Sequence, residues 1–127
     1  MLQCAYEQGH GPAAYKLAMR ERTHNEYGKA IQIYQQGLKY GSKDCAAALE
    51  LLFMRGHWPN PLDEEVKILQ KISIARDTER ENRYNAFYEA LGINPDLKLR
   101  RLDQVLPLPP AKLPPWSGVE DESPRVF

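Results

Sequence analysis

The sequence is poor in the residues from which catalytic and metal sites are usually built. It holds two cysteines and three histidines in 127 residues. Cys4 and Cys45 belong to no C-x-x-C pair, so they offer neither a disulfide framework nor a zinc site. Both are expected as small apolar residues buried in helices. His10, His24 and His57 fall in three separate turns, and no two share the i, i+4 spacing that would bring both rings to one metal. No metal and no cofactor are therefore expected. A G-x-S-x-G elbow, a P-loop, an H-E-x-x-H pair and a dinucleotide glycine fingerprint are all missing, so the chain does not read as an enzyme. An excess of one charge is missing too. Lysine plus arginine number 17 and aspartate plus glutamate 17, which leaves no overall field to draw nucleic acid or an anionic membrane. No apolar run approaches the roughly 20 residues needed to cross a bilayer, so no membrane insertion is expected. Met1 to Glu7 also lacks the basic start and apolar stretch of a secretory signal.

What is present is an internal repeat. Ala5 to Leu17 aligns with Gly37 to Leu49 at a constant offset of 32. Small residues meet small, glycine meets glycine and leucine meets leucine. Gly9 and Gly41 sit where a helix must end, and Pro12 and Ser42 suit the start of the next one. Between the copies, residues 26–40 predict a helix with Ala30, Ile33, Tyr34 and Leu38 on one face. Its start is a capping box over Thr23-His24-Asn25-Glu26, or Asn25 alone as the cap. A helix over 43–54 follows, rich in alanine so that neighbouring backbones can approach, with Leu49, Leu52 and Phe53 supplying bulk. After the break at Gly56 to Pro61, residues 62–75 predict a helix with the stripe Leu62, Val66, Leu69, Ile72 and Ala75. A last helix over 78–91 is capped by a box at Thr78 to Glu81, presents Tyr84, Phe87, Tyr88 and Leu91, and stops at Gly92.

Charged clusters have ordinary explanations on this reading. Asp63-Glu64-Glu65 fit the positive end of a helix dipole. Lys98, Arg100 and Arg101 could touch phosphate, as could Arg76, Arg80 and Arg83. Asp77, Glu79 and Glu81 are interleaved with the latter group, which predicts a solvated, mutually paired face. Beyond Pro95, the run Leu106 to Trp116 leaves no room for regular helix or central strand. It is expected to be extended, polyproline-like and packed in a groove on the helices, ahead of a loose acidic tail at Glu120 to Pro124. The divisions are then 1–56, 57–94 and 95–127: repeats, a completing helical pair, and the proline-rich segment.

Tyr27 to Ala46, with its tyrosines, Lys29-Ala30, Gly37, Gly41 and Ala46, resembles the Sel1-like repeat family, relatives of the tetratricopeptide fold. The likeness covers about residues 2–53. It departs from the family in a short period of 32, in Gly37 where an alanine is usual, and in a glycine-free turn over 20–25, where a shortened connection is expected. The resemblance implies an all-α solenoid of helical hairpins. The remainder, with Asn82-Arg83-Tyr84 ahead of Leu106 to Trp116, resembles the carboxy-terminal part of bacterial Sel1-repeat proteins often encoded beside type VI secretion effectors. That likeness implies an immunity protein that binds and neutralises a cognate effector, a phospholipase among the candidates. The alternative is a scaffold or signalling adaptor.

The start of the chain aligns with the second helix of a repeat, so a natural protein longer at its amino end is expected. Its compartment would be the periplasm if that extension holds a signal, and the cytoplasm otherwise. In such a solenoid the first helices of successive pairs line the concave face. Tyr15, Lys16, Met19, Arg20, Glu50 and Met54 are the expected partner contacts there, joined by His57 and Trp58 in the following turn. Tyr27, Tyr34 and Tyr40 are expected to be packing residues.

Overall fold

A computed structural model describes residues 2–55, 67–68, 71–72, 77–96, 99, 102–108 and 111–115. Among them every regular element is helical. In chain order these are α1 (Leu2–Glu7), α2 (Gly11–Thr23), α3 (Tyr27–Lys39), α4 (Lys43–Arg55), α5 (Thr78–Ile93) and α6 (Leu102–Val105).

The first three helices stop in one way. Gly9, Asn25 and Gly41, sixteen residues apart, have φ of +88°, +62° and +97°. In each case the next N–H reaches back to a carbonyl five residues earlier: His10 to Ala5 at 3.0 Å, Glu26 to Glu21 at 2.9 Å and Ser42 to Gly37 at 3.0 Å. This left-handed ending satisfies carbonyls that the last turn leaves open. Asn25 therefore ends α2 and does not cap α3. The box at Thr23 is not formed, because its hydroxyl bonds the Arg20 carbonyl at 2.7 Å. The cap of α5 is likewise Asp77, whose carboxylate accepts the Arg80 N–H at 3.0 Å. Gly92 does not end α5, which runs on to Ile93. Asn94 leaves helical geometry because Pro95 follows it.

Helices α2, α3 and α4 pack closely because small residues line their contacts. A Cβ on Gly37 would lie 2.5 Å from Cys45 Sγ and 2.8 Å from Ala14 Cβ, so α3 touches both neighbours at a point where even alanine does not fit. Tyr34, Leu38, Leu49, Leu52 and Phe53 are fully buried around it. Each contributes about 1.5–3 kcal/mol relative to exposure. On α5, Tyr84, Phe87 and Leu91 are buried, with Tyr84 stacked on Phe53 at 5.7 Å. Tyr88, expected on the same face, is exposed beside Lys43, whose ammonium lies 5.7 Å from its ring.

Of the helix expected over 62–75, Lys67, Ile68 and Lys71 are helical, and Ile72 is exposed in a turn. The rest of that helix lies outside the described residues, as do Trp116 and the acidic tail.

Arg80 and Arg83 are not on a solvated face. They are 6% and 5% exposed, and their guanidiniums hold the proline-rich segment. Arg80 donates to the carbonyl of Pro107 at 2.9 Å and to that of Ala111. Arg83 donates to Val105 at 2.8 Å and Pro114 at 2.7 Å. Asp77 and Glu79 pair the two charges at 2.6 Å and 2.9 Å. The segment is also not extended throughout, because Ala111 N–H donates to the Leu108 carbonyl at 3.2 Å. Its two limbs are bridged by arginines one helical turn apart, 107 to 111 by Arg80 and 105 to 114 by Arg83. Proline removes the N–H groups that would otherwise tie such limbs together, and the five-donor guanidinium fork replaces them.

A second buried tie joins this segment to α3. Gln35 accepts from the Tyr84 hydroxyl at 2.8 Å and donates to the Leu106 carbonyl at 2.7 Å and to Asp103 at 3.1 Å. Asp103 also pairs with Lys39.

Gly37→Ala is expected to cost about 1–3 kcal/mol through overpacking, read as a lower urea midpoint at unchanged slope. Arg83→Met should cost about 2–4 kcal/mol by stranding two carbonyls. Arg83→Lys should recover only part of that loss in the same assay, because an ammonium does not reproduce the planar fork.

Candidate functional site

Met19 on α2 and Met54 on α4 are 44% and 36% exposed. Both helices are otherwise anchored by buried alanines and leucines, so their outer faces are held rigidly by the core. Lys16 and Arg20 project into solvent beside Met19. Tyr15 is half-buried, its ring 6.0 Å from that of Tyr34. Glu50 is also half-buried, and burial first, then the nearby Glu81 and Glu89, pushes its carboxyl above the usual range. The fold thus brings Tyr15, Lys16, Met19 and Arg20 together on α2, and Glu50 and Met54 on α4. His57 and Trp58 lie outside the described residues.

A shallow groove of about 310 Å³ continues from Met19, lined by Arg22, Thr23 and Tyr27. It forms because the tight turn at 24–26 sets the end of α2 against the start of α3. The Arg22 guanidinium lies 5.8 Å from the Tyr27 ring centroid and donates to the Tyr34 hydroxyl at 3.3 Å. Tyr27 and Tyr34 are buried, and Tyr40 packs edge-on against Tyr6 at 6.1 Å.

Sequence reasoning missed Leu51, 54% exposed on α4. The repeat offset itself could have found it, since Leu51 stands 32 residues after Met19. It also missed Arg22. Nothing in the local pattern announces that an arginine near a helix end will sit over an aromatic ring.

The site offers contact surface and little chemistry. Among the described residues, no group of three or more histidine, cysteine, aspartate or glutamate side chains is placed to hold a metal ion. Among the described residues, no helix is long and apolar enough to cross a membrane. Cys45 is buried, and burial pushes its thiol up to about 12 against a weaker opposing hydrogen bond from Ser42. Cys4, expected to be buried, is exposed near the start of α1. The helix turns Tyr6 toward Tyr40, which leaves Cys4 on another face, its sulfur accepting from the Gln8 side-chain amide at 3.6 Å. Burial likewise raises Tyr84 and Tyr34, the latter opposed by Arg22.

A family profile described as a domain of unknown function, DUF6396, matches residues 47–121, beginning inside α4. No curated protein and no solved structure matches the chain.

Native protein near pH 8 should react with a thiol reagent at Cys4 alone, Cys45 following only in denaturant. The unfolded Cys45 thiol ionises near 9, whereas the folded one stays protonated to about 12. The native state therefore holds the extra proton, and stability is full below pH 9 and lost as pH rises toward 12. The loss approaches about 1.4 kcal/mol per pH unit for this group. Cys45→Ala should flatten part of that decline in urea titrations run from pH 8 to 11, leaving the share carried by the tyrosines.

Proposed function

The chain belongs to the DUF6396 family, a domain of unknown function, and on that premise we propose that it is a protein-binding module without catalysis or cofactor of its own. Its partner is a secreted antibacterial effector of the type VI kind, a phospholipase the first candidate, neutralised by a stoichiometric complex. The reading draws on the likeness of residues 2–53 to Sel1-like repeats stacked as a solenoid. It draws also on the Leu106 to Trp116 ending, which resembles that of bacterial immunity-type proteins. Its setting is bacterial, in the periplasm if the natural protein carries an amino-terminal signal and in the cytoplasm otherwise.

The observation that carries the reading is the exposure of Met19 and Met54 on a face whose supporting residues are fully buried. Large apolar side chains held in water by a rigid frame are suited to being covered by another surface. Methionine adapts to irregular partner contours. Tyr15, Lys16, Arg20 and Glu50 supply an aromatic edge and a charged rim, which contribute orientation and encounter rate more than affinity. Inhibition would follow from occupying or distorting the effector's catalytic cleft. His57 and Trp58 belong to the same proposed contact set.

Capture with the full chain as bait from lysate of its source bacterium, followed by titration calorimetry on the main hit, tests this. One dominant secreted effector, bound at nanomolar Kd or tighter and inhibited at equimolar ratio, is the expected result. Met19→Asp with Met54→Asp should weaken that complex at least a hundredfold without changing the helical circular dichroism. Several weak partners would instead leave a scaffold or adaptor, and none would remove the reading.

A further inference from the structure

The candidate face is ordered in three bands. Helices α2 and α4 lie against each other. Ala14 and Cys45 meet over Gly37, and a Cβ on Gly11 would come within 3.0 Å of Ser42. The repeat offset makes Met19 the counterpart of Leu51, and Arg22 that of Met54. Met19 and Leu51 thus hold matching positions on the two neighbouring helices, Met54 stands one turn beyond Leu51, and all three are exposed. On the α2 side this set is edged by Lys16 and Arg20, both exposed. On the other side it is edged by Glu50, whose charge is disfavoured first by partial burial and then by Glu81 and Glu89 of α5. One oxygen of the Glu81 carboxylate is buried without a hydrogen-bond partner.

We propose that this face takes an amphipathic helix of a partner protein, laid along the α2–α4 seam with its apolar ridge on Met19, Leu51 and Met54, its acidic edge over Lys16 and Arg20, and its basic edge over Glu50. Met19 matching Leu51 across two neighbouring helices, with Met54 one turn on, suits an apolar stripe recurring every three or four residues. A cation from the partner relieves the crowding of like charges at Glu50. Recognition of opposite charges on two edges fixes the direction in which the partner helix lies and rejects helices of uniform charge. The inference rests on the protein-binding reading. Its test uses synthetic probes, so failure to capture a natural partner and failure of the face to read charge are separate results.

Three stapled 15-residue helices with the same leucine ridge serve as probes: one with a lysine edge and a glutamate edge, one with both edges lysine, one with both edges glutamate. Titrated against the full chain by fluorescence anisotropy, the two-sign probe should bind about tenfold tighter than either uniform probe. The preference should shrink as salt is raised. Leu51→Asp should abolish binding of all three with the helical signal intact. Glu50→Lys combined with Glu89→Lys should transfer the preference to the probe with two acidic edges. No binding by any probe, or equal binding by all three, overturns the proposal. So does a concentration-dependent dimer dispersed by Leu51→Asp, which would assign the face to a second copy of the chain.

Discussion

Two buried guanidiniums make the rest of the carboxy-terminal half possible. A proline-rich segment cannot build its own hydrogen-bond ladder, yet Leu106 is fully buried and Leu108 and Leu113 pack on the core. Burying such a segment strands main-chain carbonyls, each costing on the order of 1–3 kcal/mol if left without a donor. Arg80 and Arg83 supply the missing donors to four carbonyls, one turn apart on α5, and Asp77 and Glu79 balance their charge. A buried charge is tolerated only when its hydrogens are used and its charge is paired, and both conditions are met here.

The same segment joins the two halves of the chain. Gln35 lies in α3, before the start of the family match at residue 47. It nevertheless accepts from Tyr84 and donates to Leu106 within the matched region. Lys39 of α3 pairs with Asp103, and its carbonyl accepts from Leu99 at 3.2 Å. The helix preceding the matched region is therefore part of that region's core, and a boundary inside α4 divides one packed unit. Truncation at that point would expose the Phe53–Tyr84 stack and leave Leu106 without a donor.

This rigidity bears on the candidate face. Met19, Leu51 and Met54 stand on helices whose inner sides are closed by Gly37, Ala14, Cys45 and Leu49. The backbone beneath these side chains is therefore already fixed when a partner covers them, which is the main saving a preformed surface offers. The acidic edge joins Glu50 of α4 to Glu81 and Glu89 of α5, and α5 is oriented by its contacts with α4 and with the arginine-bridged bend. A surface built from one end of the sequence thus owes its electrostatics to the other.

The all-α character was legible in the residues. Gly9 and Gly41 marked helix ends because glycine, with no Cβ, adopts positive φ most readily, and the face of Ala30, Ile33, Tyr34 and Leu38 followed from a 3.6-residue period. The true caps were not legible. Asn25 suits both the start of one helix and the left-handed end of another, and only the reach of the Glu26 N–H to the Glu21 carbonyl chose between them. Met19 and Met54 could be placed near the surface by counting, and Leu51 could have been added by the same offset. The burial of Arg80 and Arg83 was beyond local reading, since interleaved acids and bases on a helix look the same whether water or a proline-rich chain lies opposite. The sequence by itself determined where helices form and which residues are apolar enough to fill their seams, because those follow from short-range geometry. The tertiary structure decided which charges are buried and which apolar groups stay exposed, because these depend on what segments distant in sequence bring against them.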